Sequence, residues 1–175
     1  MKPRVAIVIA DYNPSWPSHD EQEKQTILKM LGAQILVIEH IGSTAVRGLA
    51  AKPIVDIIAT VRDRQTADSS LPALAAVGYL DVTAQGDHAE WFYCLGKRLN
   101  DTTYCHLHLV KADSDFFARH LLFRDALLAD AGLARRYETL KRELAAKFGA
   151  DREGYTNAKT VFIESALTTA GKRRK

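Results

Sequence analysis

Apolar residues follow two different rhythms along this 175-residue chain, and the change from one to the other divides it into a mixed front half and a helical back half. Ser18-x-x-Glu21 is a capping-box pattern, in which a hydroxyl and a carboxylate each answer a free backbone N–H, and it predicts a helix running through Leu31 and closed by Gly32. Gln34 to Ile41 is apolar and β-branched, with Ile35, Val37 and Ile38, and predicts a largely buried strand. Gly42 then permits a sharp turn, and Ser43 and Thr44 can cap a short helix. Pro53 to Val61 predicts a second buried strand, Gln65 to Val77 a helix ended by Gly78, and Tyr79 to Val82 a third strand. Ala89 to Leu95 and Thr103 to Val110 predict an antiparallel pair joined by the polar loop Gly96 to Thr102.

From Asp113 onward the period becomes helical. Phe117, Leu121 and Leu128, and then Tyr137, Leu140 and Leu144, mark the inner faces of amphipathic helices over about Asp113 to Asp130, Leu133 to Phe148 and Tyr155 to Thr169. The expected class is therefore α+β: a mixed sheet packed with helices, ending in a helical C-terminal portion. No repeat, low-complexity segment or linker-like stretch interrupts it, so residues 1–170 form one domain, followed by a basic, irregular tail at 171–175.

A hydrophobic content of 47% suffices for one well-buried core. The net charge of +3 is concentrated in the tail, where Lys172, Arg173, Arg174 and Lys175 outweigh it and leave a slightly acidic body. That tail can touch nucleic acid weakly, but the body lacks the basic, aromatic-studded face of a dedicated nucleic-acid binder. The apolar run Val5 to Ala10 is too short for a signal peptide or a membrane span, which points to a cytoplasmic protein without membrane contact. Cys94 and Cys105 can face each other across the hairpin as buried thiols and carry no catalytic expectation. Nothing in the sequence speaks to oligomeric state.

The chemistry concentrates in the run from His40 to Ile57. Gly42 lets a ligand approach the backbone, and a helix opening at Ser43 and Thr44 would direct free N–H groups at an anion; an ordinary strand-to-helix turn is the plainer account. Asp56 is the only charge on its buried strand, so a cation such as Lys52, a metal or hydrogen bonds must answer it. His106 and His108 alternate on a strand, which places both imidazoles on one face. They are either metal ligands, together with Asp56, or half-buried histidines hydrogen-bonded to Asp56, to tyrosine side chains or to a substrate phosphate, and without a metal Asp56 can orient one imidazole as a general base.

A Gly-Ser turn followed by a strand bearing an acid resembles the nucleotidyltransferase fold of DNA polymerase beta and the aminoglycoside nucleotidyltransferases. A closer resemblance, over nearly the whole chain, is to the GrpB family of small bacterial proteins. It rests on Tyr12-Asn13-Pro14-Ser15-Trp16, the run His40 to Ile57, Gly78-Tyr79, His106-Leu107-His108, Leu122-Phe123-Arg124-Asp125, Tyr137 with Leu140-Lys141, and Tyr155 with Lys159. The resemblance implies a nucleotide or phosphorylated small molecule held by Gly42, Ser43 and Thr44. It also implies a divalent cation on Asp56, with Lys52 neutralising developing charge and a nucleoside monophosphate transferred to an acceptor. The usual second acid, two residues after the first, is here Ile58. If His106 and His108 stand in for the third acid, the site becomes a mixed Asp/His one, better suited to manganese or zinc than to magnesium. Lys141 and Lys159 can line a triphosphate cleft. Arg124 either grips a phosphate or pairs with a carboxylate that ties helix to sheet, and Trp16 either stacks a base or packs the core. The alternatives to transfer are an inactive nucleotide- or anion-binding module and a metal-dependent hydrolase.

Overall fold

The computed structural model describes residues 6–83 and 91–173. Helix α1 spans Trp16–Leu31 and starts earlier than the capping-box pattern predicts. Its first turn is set by Pro17, whose fixed φ suits that position, and by Asn13, whose Oδ1 accepts from the Ser15 N–H at 2.9 Å. Ser18 therefore lies inside the helix, where its hydroxyl donates to the Ser15 carbonyl at 2.8 Å instead of capping. Gly32 closes α1 as expected, and strand β1 (Val37–Ile41) follows after a single 3₁₀ turn at Gly32–Gln34.

The Gly42-Ser43 turn opens only one 3₁₀ turn, Ser43–Ala45, and no α-helix, so no macrodipole is available there. After it come β2 (Val55–Val61), α2 (Arg64–Ala76), capped by Asp63, and β3 (Tyr79–Asp81). The hairpin is tighter than predicted. β4 (Phe92–Leu99) and β5 (Thr102–Lys111) enclose only Asn100 and Asp101, both at positive φ, 48° and 61°, which is the turn that matches strand twist. The residues Gly96 to Leu99, expected in the loop, belong to the strand; the expected strand start at Ala89 lies outside the described residues.

Ser114, Asp130 and Asp151 cap α3 (Asp115–Ala129), α4 (Ala131–Phe148) and α5 (Arg152–Ala158) through side-chain oxygens. The helix predicted from Tyr155 is two, α5 and α6 (Thr160–Arg173), with Lys159 at the junction. Because α6 continues through Arg173, it takes up most of the stretch expected to be an irregular tail.

The five strands run in the order β1-β2-β5-β4-β3, with β2 and β5 parallel and the other neighbours antiparallel. The parallel register sets Asp56 beside His106 and Ile58 beside His108. Cys94 pairs with His108 and Cys105 with Lys97, so the two free thiols lie on opposite faces and do not meet. One face carries the main core, in which Trp16 and Ile27 of α1 and Leu74 of α2 pack on Ile57, Ala59, Leu107 and Leu109. Trp16 is 4% exposed, so it packs the core and offers no base-stacking surface. Phe116, Phe117 and Leu121 of α3 cover the other face over Ile41, Ile58 and Val110. A third cluster joins Val46 and Leu49, in the loop between β1 and β2, to Leu127, Tyr137 and Phe162, and so fastens the C-terminal helices over that loop. No helix among the described residues is long and apolar enough to cross a membrane.

Candidate functional site

Where β1 ends, the chain passes so close to Asp56 that only glycine fits. Gly42 has φ +71°, and a Cβ there would stand 2.9 Å from Asp56 Oδ2. The Asp56 carboxylate accepts a hydrogen bond from His106 Nδ1 at 3.1 Å, and His108 Nε2 lies 3.7 Å from the same oxygen. Burial pushes the carboxyl pKa up, but the two histidines outweigh it and hold Asp56 well below the usual carboxylate range. Its side chain remains 31% exposed, at the floor of a cavity of about 150 Å³.

Three lysines converge on that cavity from separate elements. Lys141 of α4 is 3% exposed; its Nζ lies 2.9 Å from Ser43 Oγ, donates to the Ala50 carbonyl, and sits 4.9 Å from the Tyr137 ring centre. Lys52, in the loop before β2, and Lys159, between α5 and α6, approach the Tyr155 ring to 5.5 and 4.4 Å. Burial draws all three pKa values down, that of Lys141 to about 7 and that of Lys159 to about 8, where neighbouring Lys52 adds to the effect. Among the described residues none of the three forms an ion pair with a carboxylate. Gly42, Ser43 and His106 complete the wall, and Thr44 joins it while its hydroxyl is engaged by His40 Nε2 at 2.9 Å.

Two expected participants lie elsewhere. Arg124 bonds Glu39 at 2.8 Å, the His40 carbonyl at 3.0 Å and Asp125, so it ties α3 to β1 and reaches no phosphate position in the cavity. His108 is outside the cavity lining, with its ring against Phe116 and His120. His40, which sequence reasoning missed as a participant, is buried behind the turn; burial and then Lys24 bring its pKa down to about 4, so it stays neutral and props Thr44. The tyrosine platforms did leave a signal: Tyr137 with Lys141 and Tyr155 with Lys159 repeat one spacing of four residues, the separation that brings two side chains together on a helix.

The fold's usual pair of magnesium ions needs a second carboxylate at position 58. Ile58 is fully buried and packs in the α3-facing apolar cluster with Ile41 and Val110, so the residues present do not fit that ligand set. Nor does any cluster of three or more His, Cys, Asp or Glu among the described residues have the arrangement to hold an ion; Asp56 and His106 are hydrogen-bonded to each other instead.

The family described as GrpB protein matches residues 6–169. A relative from Streptomyces coelicolor is 37% identical over 171 residues, covering 97% of this chain and 87% of its own length. YqkA of Bacillus subtilis is 31% identical over 173 residues, but this chain spans only 50% of its length. Among solved structures, the conserved protein GrpB from Enterococcus faecalis superposes with TM-score 0.84 at 30% identity, over 95% of this chain and 99% of that one. Cid1, described as having RNA terminal uridylyl transferase activity, superposes with TM-score 0.53 at 15% identity, over 79% of this chain and 43% of its own. At that identity the likeness is one of fold, and it agrees with the mixed sheet and the turn-then-acid arrangement described above. The chain belongs to the GrpB family and has a nucleotidyltransferase-like fold.

Proposed function

We propose that the cleft beneath Gly42-Ser43 binds a phosphorylated small molecule or a nucleotide. The observation that carries this reading is the convergence of Lys52, Lys141 and Lys159 on one small cavity in which, among the described residues, Asp56 is the one carboxylate of the lining and offsets only part of their charge. Desolvated, mutually repelling ammonium groups are costly, and an anion is the partner that removes the cost. Ser43 Oγ and the open Gly42 turn stand in the wall as hydrogen-bonding groups for its oxygens. A second reading, transfer of the bound group to an acceptor, is favoured by His106. Its Nδ1 is held by Asp56, which leaves Nε2 as the nitrogen able to take a proton from an acceptor hydroxyl or water. Such transfer follows the reaction for which Cid1 is described, with His106 as a base in this chain's own arrangement.

The test is thermal unfolding in the presence of nucleoside triphosphates, sugar phosphates and pyrophosphate, because a ligand that binds only the folded state must raise Tm. Wild-type protein should be stabilised, and the double variant Lys52→Met, Lys159→Met should respond at least ten-fold more weakly. A panel that leaves wild-type Tm unmoved at millimolar concentrations overturns the reading.

A further inference from the structure

We infer that the group recognised in the cleft is a diphosphate, bound without a metal ion and without a stacked base, with the three lysines taking the place that divalent ions hold in other proteins of this fold. The inference rests on the phosphate-binding reading and goes further on three observations.

The first is room. A cavity of about 150 Å³ is well below the roughly 300 Å³ at which small-molecule pockets begin, and suits a short phosphate chain whose remainder lies outside. Positive charge also sits at two places, Lys141 beside Ser43 and Tyr137 and the pair Lys52 and Lys159 over Tyr155, one for each of two linked phosphate groups.

The second is the state of the rings. Tyr137 stacks on Phe162 at 5.3 Å and 20°, meets Phe123 edge-on at 5.1 Å, and carries Lys141. Tyr155 is 1% exposed and carries both other lysines. Neither tyrosine in the wall has a free face on which a base could stack, and stacking is the sequence-tolerant way of holding one.

The third is the acid cluster. With Ile58 closed into the apolar layer and Asp56 engaged by His106, the wall presents one carboxylate among the described residues, and it is already hydrogen-bonded. Positive charge reaches the phosphate from Lys52, Lys141 and Lys159 instead. An ion arriving on the ligand would neutralise the very oxygens these lysines attract.

Calorimetric titration of the full chain with pyrophosphate, inorganic phosphate and the four nucleoside triphosphates, each in EDTA and in excess magnesium, tests this. Pyrophosphate should bind in EDTA, tighter than inorganic phosphate by ten-fold or more. The four nucleotides should agree with one another within about three-fold, and magnesium should weaken every one of them. Lys159→Gln, checked for an unchanged circular dichroism spectrum, should weaken pyrophosphate and all four nucleotides alike. Binding that requires magnesium, or one nucleotide preferred over the others and over pyrophosphate by ten-fold, overturns the inference while leaving the phosphate-binding reading in place. Absence of binding by any anion in either condition overturns both.

Discussion

Gly42 and Asp56 constrain each other, and that mutual constraint is the most exacting feature of the site at the level of single residues. Gly42→Ala adds both a strained positive φ and a methyl group within 2.9 Å of Asp56 Oδ2, which must move. Urea denaturation should show a loss of about 1–3 kcal/mol, and anion affinity should fall with it; an alanine variant of wild-type stability would mean that the turn relaxes freely. The lysines set a second expectation. Lys141 and Lys159, at about 7 and about 8, lose their protons as pH rises from 6 to 9, so the positive charge facing an anion shrinks over that range. Asp56 is ionised throughout and contributes no titration there. Pyrophosphate affinity should therefore fall as pH rises, and binding near pH 8 should take up protons, visible as a buffer-dependent heat. The stability sign is the opposite. Both folded-state values lie below the ordinary 10.5, so the unfolded chain binds more protons between 7 and 10.5. The contribution of these lysines to stability thus improves with pH across that window and is lowest below it. That His106 and His108 share a face was legible from their alternation, because strand geometry fixes which side chains lie together, whereas the pairing with Asp56, one of several partners open to them, follows from the parallel register of β2 and β5. That only His106 reaches the cavity was not legible, since it depends on how far α3 covers the adjoining register position.

Among the elements, the join between α3 and β1 is held by a guanidinium that the sequence could assign either to a ligand or to an ion pair. Arg124 reaches Glu39, the His40 carbonyl and Asp125 together. Arg124→Ala should cost about 1–3 kcal/mol through the acceptors left behind, while pyrophosphate affinity stays within two-fold of wild type, as titration of the same preparation would show. A matching loss of affinity at unchanged stability would restore Arg124 to the site. The long elements were readable because period and length agree, as in α4, where Tyr137, Leu140 and Leu144 lie on one stripe. Short features were not. The capping-box pattern at Ser18 lost to Pro17 and Asn13, and the single turn at Ser43–Ala45 looked like a helix start because both begin with the same residue types. The break at Lys159 carries no glycine or proline to announce it.

At the scale of the whole molecule, the two sheet faces divide the labour. The face under α1 and α2 is a core in which even the buried carboxylate of Glu23 is fully employed, accepting from Tyr79 at 2.8 Å, Tyr104 at 2.6 Å and Lys97 at 2.9 Å. The opposite face is sealed by α3 at one end and left open at Asp56 at the other, where the C-terminal helices bring in Lys141 and Lys159. Membership of the GrpB family and the mixed α+β class were readable from spaced motifs across the chain, because those motifs fall at turns and at register positions that the sheet fixes. The gathering of Gly42, Ser43, Thr44, Lys52, Asp56, Lys141 and Lys159 at one cavity is what the family resemblance implied, whereas the small volume of that cavity was not legible, because it depends on the packing of residues more than a hundred positions apart. The parallel pairing of β2 with β5 has a consequence for biosynthesis. Asp56 leaves the ribosome long before its partner His106, and Lys159 follows later still, so the cleft does not exist on a growing chain until α4, α5 and the start of α6 have emerged. A growing chain that has released only the sheet therefore carries the turn and Asp56 but neither Lys141 nor Lys159, which makes the proposed anion site a late product of synthesis.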